Sequence, residues 1–80
     1  MYHLVQWGIA EMGRGETEEE AITEAREYGA TVEPENVCHY VGTGKTGDGF
    51  DGKMLTDKGE LAKGDLVMLT AEQFAEIGYQ

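Results

Sequence analysis

The chain has 80 residues, and its 16 Asp and Glu residues against 6 Lys and Arg residues give a net charge of −10. This charge argues against direct binding to nucleic acid or to an anionic membrane, because both need Lys and Arg to neutralise phosphate. The length indicates a single domain over residues 1–80, and the apolar fraction of 40% suffices for one core.

The sequence also predicts a compartment. The N-terminal segment lacks the basic start and the apolar stretch of a signal peptide. No apolar run approaches the roughly 18 residues of a membrane span. The one cysteine, Cys38, forms no disulfide within the chain, which fits a reducing environment. We therefore expect a cytoplasmic protein, in the cytoplasm of a host cell if a phage encodes it.

The first predicted element is a strand over residues 2–10, in which alternate side chains point to opposite faces. Val5, Trp7 and Ile9 share one face of this strand and are the expected core residues. The glycines within residues 11–15 then predict a loop.

Residues 17–28 form the clearest predicted element, an α-helix. Thr17 followed by Glu20 is a capping box, in which the hydroxyl accepts from a free amide and the carboxylate reaches back. Gly29 is the expected C-terminal stop. Residues at helical spacing predict a stripe buried against a sheet, formed by Ala21, Ile22, Ala25 and Tyr28.

The second half of the chain predicts short strands over residues 37–41, 53–56 and 65–70. Five glycines within residues 42–52 indicate a turn or hairpin loop. Thr70 then caps a short helix over residues 71–77. This order predicts an α+β fold: a small antiparallel or mixed sheet of three to four strands, one long helix packed on a face, and a short C-terminal helix.

Three patterns resemble sites of chemistry and fall short of them. Residues 42–46 resemble the end of a phosphate-binding loop, but His39 stands where its first glycine belongs. Cys38 and His39 resemble part of a metal or nucleophile site, but they are adjacent on a predicted strand, point to opposite faces and cannot easily share one site. No register of the calcium-binding loop of EF-hands fits the acids Asp48, Asp51 and Asp57, which are expected in turns. We predict no catalytic residue, no metal ligand and no cofactor.

Six glutamates and one arginine lie within residues 15–27. The acids of the first helical turn match the helix dipole, but Glu24 and Glu27 gain nothing from it. Glu20, Glu24 and Glu27 form a row whose neighbours are about 5–6 Å apart. This row is either a solvated face or a recognition surface for Lys and Arg. Residues 1–40 hold nine acids and two bases, and residues 41–80 seven acids and four bases, so the charge is concentrated around the helix.

In size, acidity and α+β character the chain resembles the small anti-CRISPR proteins of phages and other mobile elements. The likeness lies in the strand Trp7-Gly8-Ile9, in the segment 13–22 that leads into the Glu-rich helix, and in the acidic remainder. It implies a non-enzymatic inhibitor that docks on a basic channel of a CRISPR effector subunit and blocks target DNA. The residues expected to contact this basic partner are Glu16, Glu19, Glu20, Glu24, Glu27, Asp48 and Asp51.

Two other functions remain open. A generic interaction module, or a small homodimer within a larger assembly, is possible because the open edges of a small sheet invite pairing. The third hypothesis is a small enzyme or a metal-binding protein. The sequence specifies neither the partner nor whether the chain is a monomer or a homodimer.

Overall fold

The structure is a computed structural model that describes the backbone of residues 1–46 and 49–77 and the side chains of residues 1–42 and 54–77. Within this part of the chain the fold is α+β, with six strands and two α-helices. The strands are β1 (Tyr2–Gln6), β2 (Ala10–Gly15), β3 (Val37–Thr46), β4 (Gly49–Thr56), β5 (Gly59–Glu60) and β6 (Leu66–Thr70). The helices are α1 (Glu18–Glu27) and α2 (Ala71–Ile77), and a 3-10 turn covers Pro34–Asn36.

The strands form one mixed sheet in the order β2-β1-β6-β3-β4-β5. Neighbouring strands are antiparallel except β3 and β6, which are parallel. β2 therefore lies at one edge of the sheet, where β1 is its one neighbour among the described strands, and the short β5 lies at the other edge.

The predicted sheet of three to four strands is wrong, because the sheet also contains β2 and the short β5, and because β3 and β4 extend into a segment assigned to a loop. Residues 11–15 belong to β2. Most of residues 42–52 belongs to β3 and β4, while residues 47–48 lie outside the described chain. Glycine has a low strand propensity, but pairing to a neighbour outweighs it. The first strand correspondingly ends at Gln6, and Gly8, with φ of +74°, turns the chain into β2.

α1 packs on the β2–β1 side of the sheet at very short range. Ala21 and Ala25 are fully buried there. A Cβ atom added at Gly13 would lie 2.3 Å from the Ala21 carbonyl oxygen, and one at Gly15 would lie 2.5 Å from the Glu20 Cβ atom. The two glycines thus let the helix backbone approach the strand. The core beneath α1 is completed by Leu4, Val32, Val37 and Met68.

α1 has 10 residues and is not the long helix that was predicted. The helix begins and ends at its capping residues, Thr17 and Tyr28. The Glu20 N–H donates to the Thr17 Oγ1 atom at 3.1 Å, and the Glu20 carboxylate accepts from the Glu16 N–H at 3.0 Å. At the other end Gly29 adopts φ of +94° and donates its N–H to the Arg26 carbonyl at 3.0 Å. The predicted cap at each end is confirmed.

The opposite face of the sheet is covered by α2. Thr70 and Gln73 form a reciprocal capping box, with N–H to side-chain oxygen distances of 3.2 and 3.0 Å. Because both faces of the sheet are covered, β1 is buried on both sides, with Leu4 and Val5 fully enclosed. The prediction that Val5, Trp7 and Ile9 form the core face of this strand is therefore wrong in two respects. Leu4 on the other face is buried as well, and Ile9 follows β1 in the turn and is 56% exposed.

Candidate functional site

The described acids of the predicted site lie along α1. Glu16, Glu19, Glu20 and Glu27 are exposed, and Glu24 is half-buried. The side chains of Asp48 and Asp51 lie outside the described residues. Four of the five acids line one open groove of about 630 Å³, formed by Arg14, Thr17, Glu19, Glu20, Thr23, Glu24 and Glu27. Glu16 precedes the helix and does not line this groove.

This groove runs beside the open edge of the sheet. Arg14 of β2 and Glu24 of α1 line both the groove and a smaller hollow of about 290 Å³ next to it. The smaller hollow is lined by Glu11, Met12, Gly13, Arg14, Glu24 and Tyr28. We call the two together the edge groove. Its walls are the acidic side of α1 and strand β2, the strand at the edge of the sheet.

Tyr28 was predicted in the buried stripe of the helix, and this is wrong. The helix ends at Glu27, and Tyr28 occupies the C-cap position, where it is 80% exposed. The turn at Gly29 leads the chain away, so the tyrosine remains at the surface, at the end of the edge groove beside Glu24. An exposed aromatic ring next to carboxylates is a feature that helical periodicity alone does not indicate.

The arginines near α1 are engaged in holding the fold. Arg26 donates from Nε and Nη2 to the Val32 carbonyl, at 3.1 and 2.7 Å. Arg14 pairs with Glu11 through Nη2 and Oε1, 2.5 Å apart. Among the described residues, no ion pair involves the acids at positions 16, 19, 20, 24 or 27. Glu20 has a role in capping, but Glu24 and Glu27 have no role in the described fold that explains their charge.

Glu11 joins the site from a segment that was predicted as a loop. One of its carboxylate oxygens bonds the Nδ1 atom of His3, while the other accepts from Arg14. His3 is buried and stacks on the Phe74 ring of α2, with ring centroids 4.0 Å apart. The contact lies on the α2 side of β1 and β2 and holds the side chains of Glu11 and Arg14 together. No local sequence pattern predicts the bond between His3 and Glu11, because the two residues come together only when β1 and β2 pair.

A second cluster joins three elements on the α1 side of the sheet. The His39 Nε2 atom lies 2.5 Å from the Glu18 Oε1 atom, and its Nδ1 atom lies 3.4 Å from the Asp57 Oδ2 atom. The His39 N–H also donates to Asp57 Oδ1 at 2.8 Å. The bond to Glu18 is the main cause that raises the pKa of His39, and the backbone bond from His39 lowers the pKa of Asp57. The cluster ties the start of α1 to the turn after β4.

This cluster predicts a pH-dependent stability. A raised histidine pKa stabilises the fold fully below the ordinary value of 6.5, and the gain is lost as the pH rises through the folded-state pKa. The lowered pKa of Asp57 has the opposite pH dependence. It stabilises the fold above the ordinary value of 3.8, and this stabilisation is lost in acid as the pH falls through the folded-state pKa. Because His39 is 46% exposed, we expect His39→Gln to cost about 0.5 kcal/mol at pH 5.5 and much less at pH 9.

Urea unfolding of both proteins at the two pH values measures this difference. The two proteins differ only at position 39, so every other residue contributes equally to both. An equal loss of stability at pH 5.5 and pH 9 would show that the charged imidazole contributes nothing.

The remaining candidates for chemistry are kept apart by the sheet. Cys38 is buried on the α2 side, and its Sγ atom donates to the Leu66 carbonyl at 3.1 Å. Burial is the main cause that raises the pKa of this thiol. His39 projects from the other face, as predicted. In the described ranges, no three His, Cys, Asp or Glu side chains are placed to hold a metal ion. The helices described here include none that is long and apolar enough to cross a membrane.

The edge groove and the two histidine clusters are the chemically distinctive features of the described surface. No protein-family model, curated protein or solved structure matches this chain. The function is therefore argued from the chemistry of the site. A row of exposed and half-buried carboxylates with an aromatic ring at its end suits cations, above all the Lys and Arg side chains of a protein surface.

Proposed function

We propose that this protein is a non-enzymatic, acidic inhibitor that binds a basic nucleic-acid-binding surface of a CRISPR effector complex and blocks target DNA. The observation that carries this proposal is the row Glu20, Glu24 and Glu27 at the edge groove, without an ion-pair partner among the described residues. The Cβ atoms of neighbouring residues in this row are about 5–6 Å apart, a spacing comparable to that of successive phosphates on one strand. The inhibitor acts in the cytoplasm of the host cell.

Electrostatics supports such a mode of action. A net charge of −10 on 80 residues attracts a basic channel over a distance set by ionic strength and speeds association. Effectors of this kind hold nucleic-acid backbones in positively charged channels and read the PAM with arginines. A carboxylate row that occupies those cations excludes the DNA without any catalytic step.

The test is a displacement assay with purified effector–guide complexes and labelled target DNA. We expect stoichiometric protein to abolish DNA binding by its cognate effector, and the inhibition to weaken as salt is raised, because the attraction is between exposed charges. Unchanged DNA affinity for every effector class, at low salt and with excess protein, would contradict the proposal.

A second candidate function, a protein-interaction module or small homodimer, is favoured by one observation, the open edge of β2. Pairing two copies at this edge would bring two acidic α1 helices together, which is electrostatically unfavourable. A dimer mass in size-exclusion chromatography with light scattering would support this candidate over the inhibitor.

A further inference from the structure

The outer side of β2 carries backbone groups that point away from the sheet. The Trp7 N–H donates to the Asp65 carbonyl at 2.8 Å, in register with the β1–β6 pairing. Antiparallel strands bond alternate residues to alternate neighbours, so odd-numbered residues of β1 bond β6 and even-numbered residues bond β2. Arg14 stands opposite the odd-numbered His3. Its N–H and C=O are therefore directed outward, away from β1, at the edge of the sheet that borders the edge groove.

α1 follows this edge with its axis antiparallel to β2. Gly15 lies against Glu20, and Gly13 lies against Ala25, so two strand residues correspond to about one helical turn. Side chains on one face of a strand repeat every 6.5 Å or so, about two residues of rise. Four helical residues, the step from Glu20 to Glu24, rise by about 6 Å. A strand laid along β2 would thus present same-face side chains at nearly the repeat of the carboxylates.

We propose that the open edge of β2 binds an extended, Lys- or Arg-containing segment of the partner protein as an added β-strand. Main-chain bonds to Arg14 hold the segment, as in other cases of strand addition. Its cationic side chains on one face lie against Glu20, Glu24 and Glu27. Tyr28 offers its exposed ring to a further cation at the end of the groove. This inference rests on the proposed function, since it states how the same groove takes a basic partner.

Charge selects this occupant over the alternatives. Among the described residues, four glutamates line the larger part of the edge groove, and the one cation that lines it, Arg14, is paired with Glu11. A second copy of this chain would add another acidic row and a further charge of −10. A neutral strand would leave the carboxylate row unused, whereas a basic strand satisfies both the backbone edge and the charges.

The first test uses a peptide as probe, the octamer acetyl-(Lys-Thr)4-amide, which alternates a cation with a strand-forming residue. Its control carries N-methyl groups on one central lysine and the threonine that follows, which blocks strand pairing on both edges and leaves the charge unchanged. Titration calorimetry at low salt should show the unmodified peptide binding at least ten-fold more tightly. Equal affinities, or binding of neither peptide, would overturn strand addition.

The second test changes the protein. Arg14→Pro removes the outward N–H, and proline is tolerated on an edge strand when its nitrogen faces solvent. Arg14→Ala is the matched control, because it removes the same guanidinium and keeps the N–H. We expect Arg14→Ala to bind the peptide at least as well as the unchanged protein, and Arg14→Pro to bind at least ten-fold more weakly. Equal binding by the two folded variants would overturn the proposal; if Arg14→Pro does not fold, the peptide comparison decides.

The two proposals fail separately. If the unchanged protein does not inhibit DNA binding in the displacement assay, the proposed function is wrong. Equal binding of the methylated and unmethylated peptides, with DNA displacement intact, speaks against strand addition alone, since an electrostatic contact does not need the peptide N–H groups.

Discussion

Gly13→Val should lower the free energy of unfolding by about 3 kcal/mol, at the upper end of the usual cost of overpacking a core. A Cβ atom at this position would lie 2.3 Å from the Ala21 carbonyl oxygen and 2.7 Å from the Ala25 nitrogen. Both are backbone atoms of α1, so no side chain can rotate away. The helix must instead move off β2, and the burial of Ala21 and Ala25 is lost with it.

Ala10→Val is the matched control, because Ala10 lies on the same strand and is exposed. Both substitutions introduce a β-branched residue that favours strands. Urea unfolding followed by circular dichroism should find Ala10→Val within about 0.5 kcal/mol of the unchanged protein, as for most surface substitutions. If Gly13→Val were as stable as Ala10→Val, the close approach of α1 to β2 would be wrong.

The features that were predicted correctly have local causes. These are the capping boxes at Thr17 and Thr70 and the glycine stop at Gly29. Each depends on contacts between residues no more than four positions apart, so a short stretch of sequence is enough to predict it. The opposite faces of Cys38 and His39 follow from strand alternation in the same way. The C-terminal helix over residues 71–77 is confirmed for this reason.

The features that were missed depend on contacts between distant segments. Gly13 and Gly15 were predicted as loop residues. Their role is to let the α1 backbone approach β2, and this is evident only when α1 lies across them. The bond between His3 and Glu11 requires the β1–β2 pairing, and the link from Glu18 through His39 to Asp57 joins three separate elements. Local propensity carries no information about such partners.

The candidate site shows the same division. The row formed by Glu20, Glu24 and Glu27 follows from helical spacing and was predicted. That the row faces the open edge of the sheet was not predictable, since this depends on which side of α1 packs on β2. The exposure of Tyr28 depends on the residue at which the helix ends, and one position decides between the buried stripe and the surface.

Reversing the row, with Glu20→Lys, Glu24→Lys and Glu27→Lys together, should weaken binding to the cognate effector by at least about 100-fold. Three close charge pairs become repulsive contacts, and about 1 kcal/mol for each gives this factor. The loss should appear both as slower association and as faster dissociation. Inhibition of DNA binding should fall in parallel, because the same cations would remain available to phosphate.

Two further variants isolate the position of the charge from its amount. Glu33→Lys, Glu60→Lys and Glu76→Lys together add the same positive charge at exposed sites away from the edge groove. Glu24→Lys with Glu27→Lys leaves the Glu20 cap intact and guards against loss of the helix start. Circular dichroism and urea unfolding should show all three variants folded before binding is compared.

The most direct measurement is the ratio of inhibition constants for the two triple variants, at equal net charge, in the displacement assay with the cognate effector. If the acidic side of α1 occupies the DNA-binding surface, the row-reversed protein should inhibit at least about 30-fold less well than the control variant, which loses only long-range attraction. Equal inhibition constants would show that net charge alone acts, and would remove α1 from the binding surface.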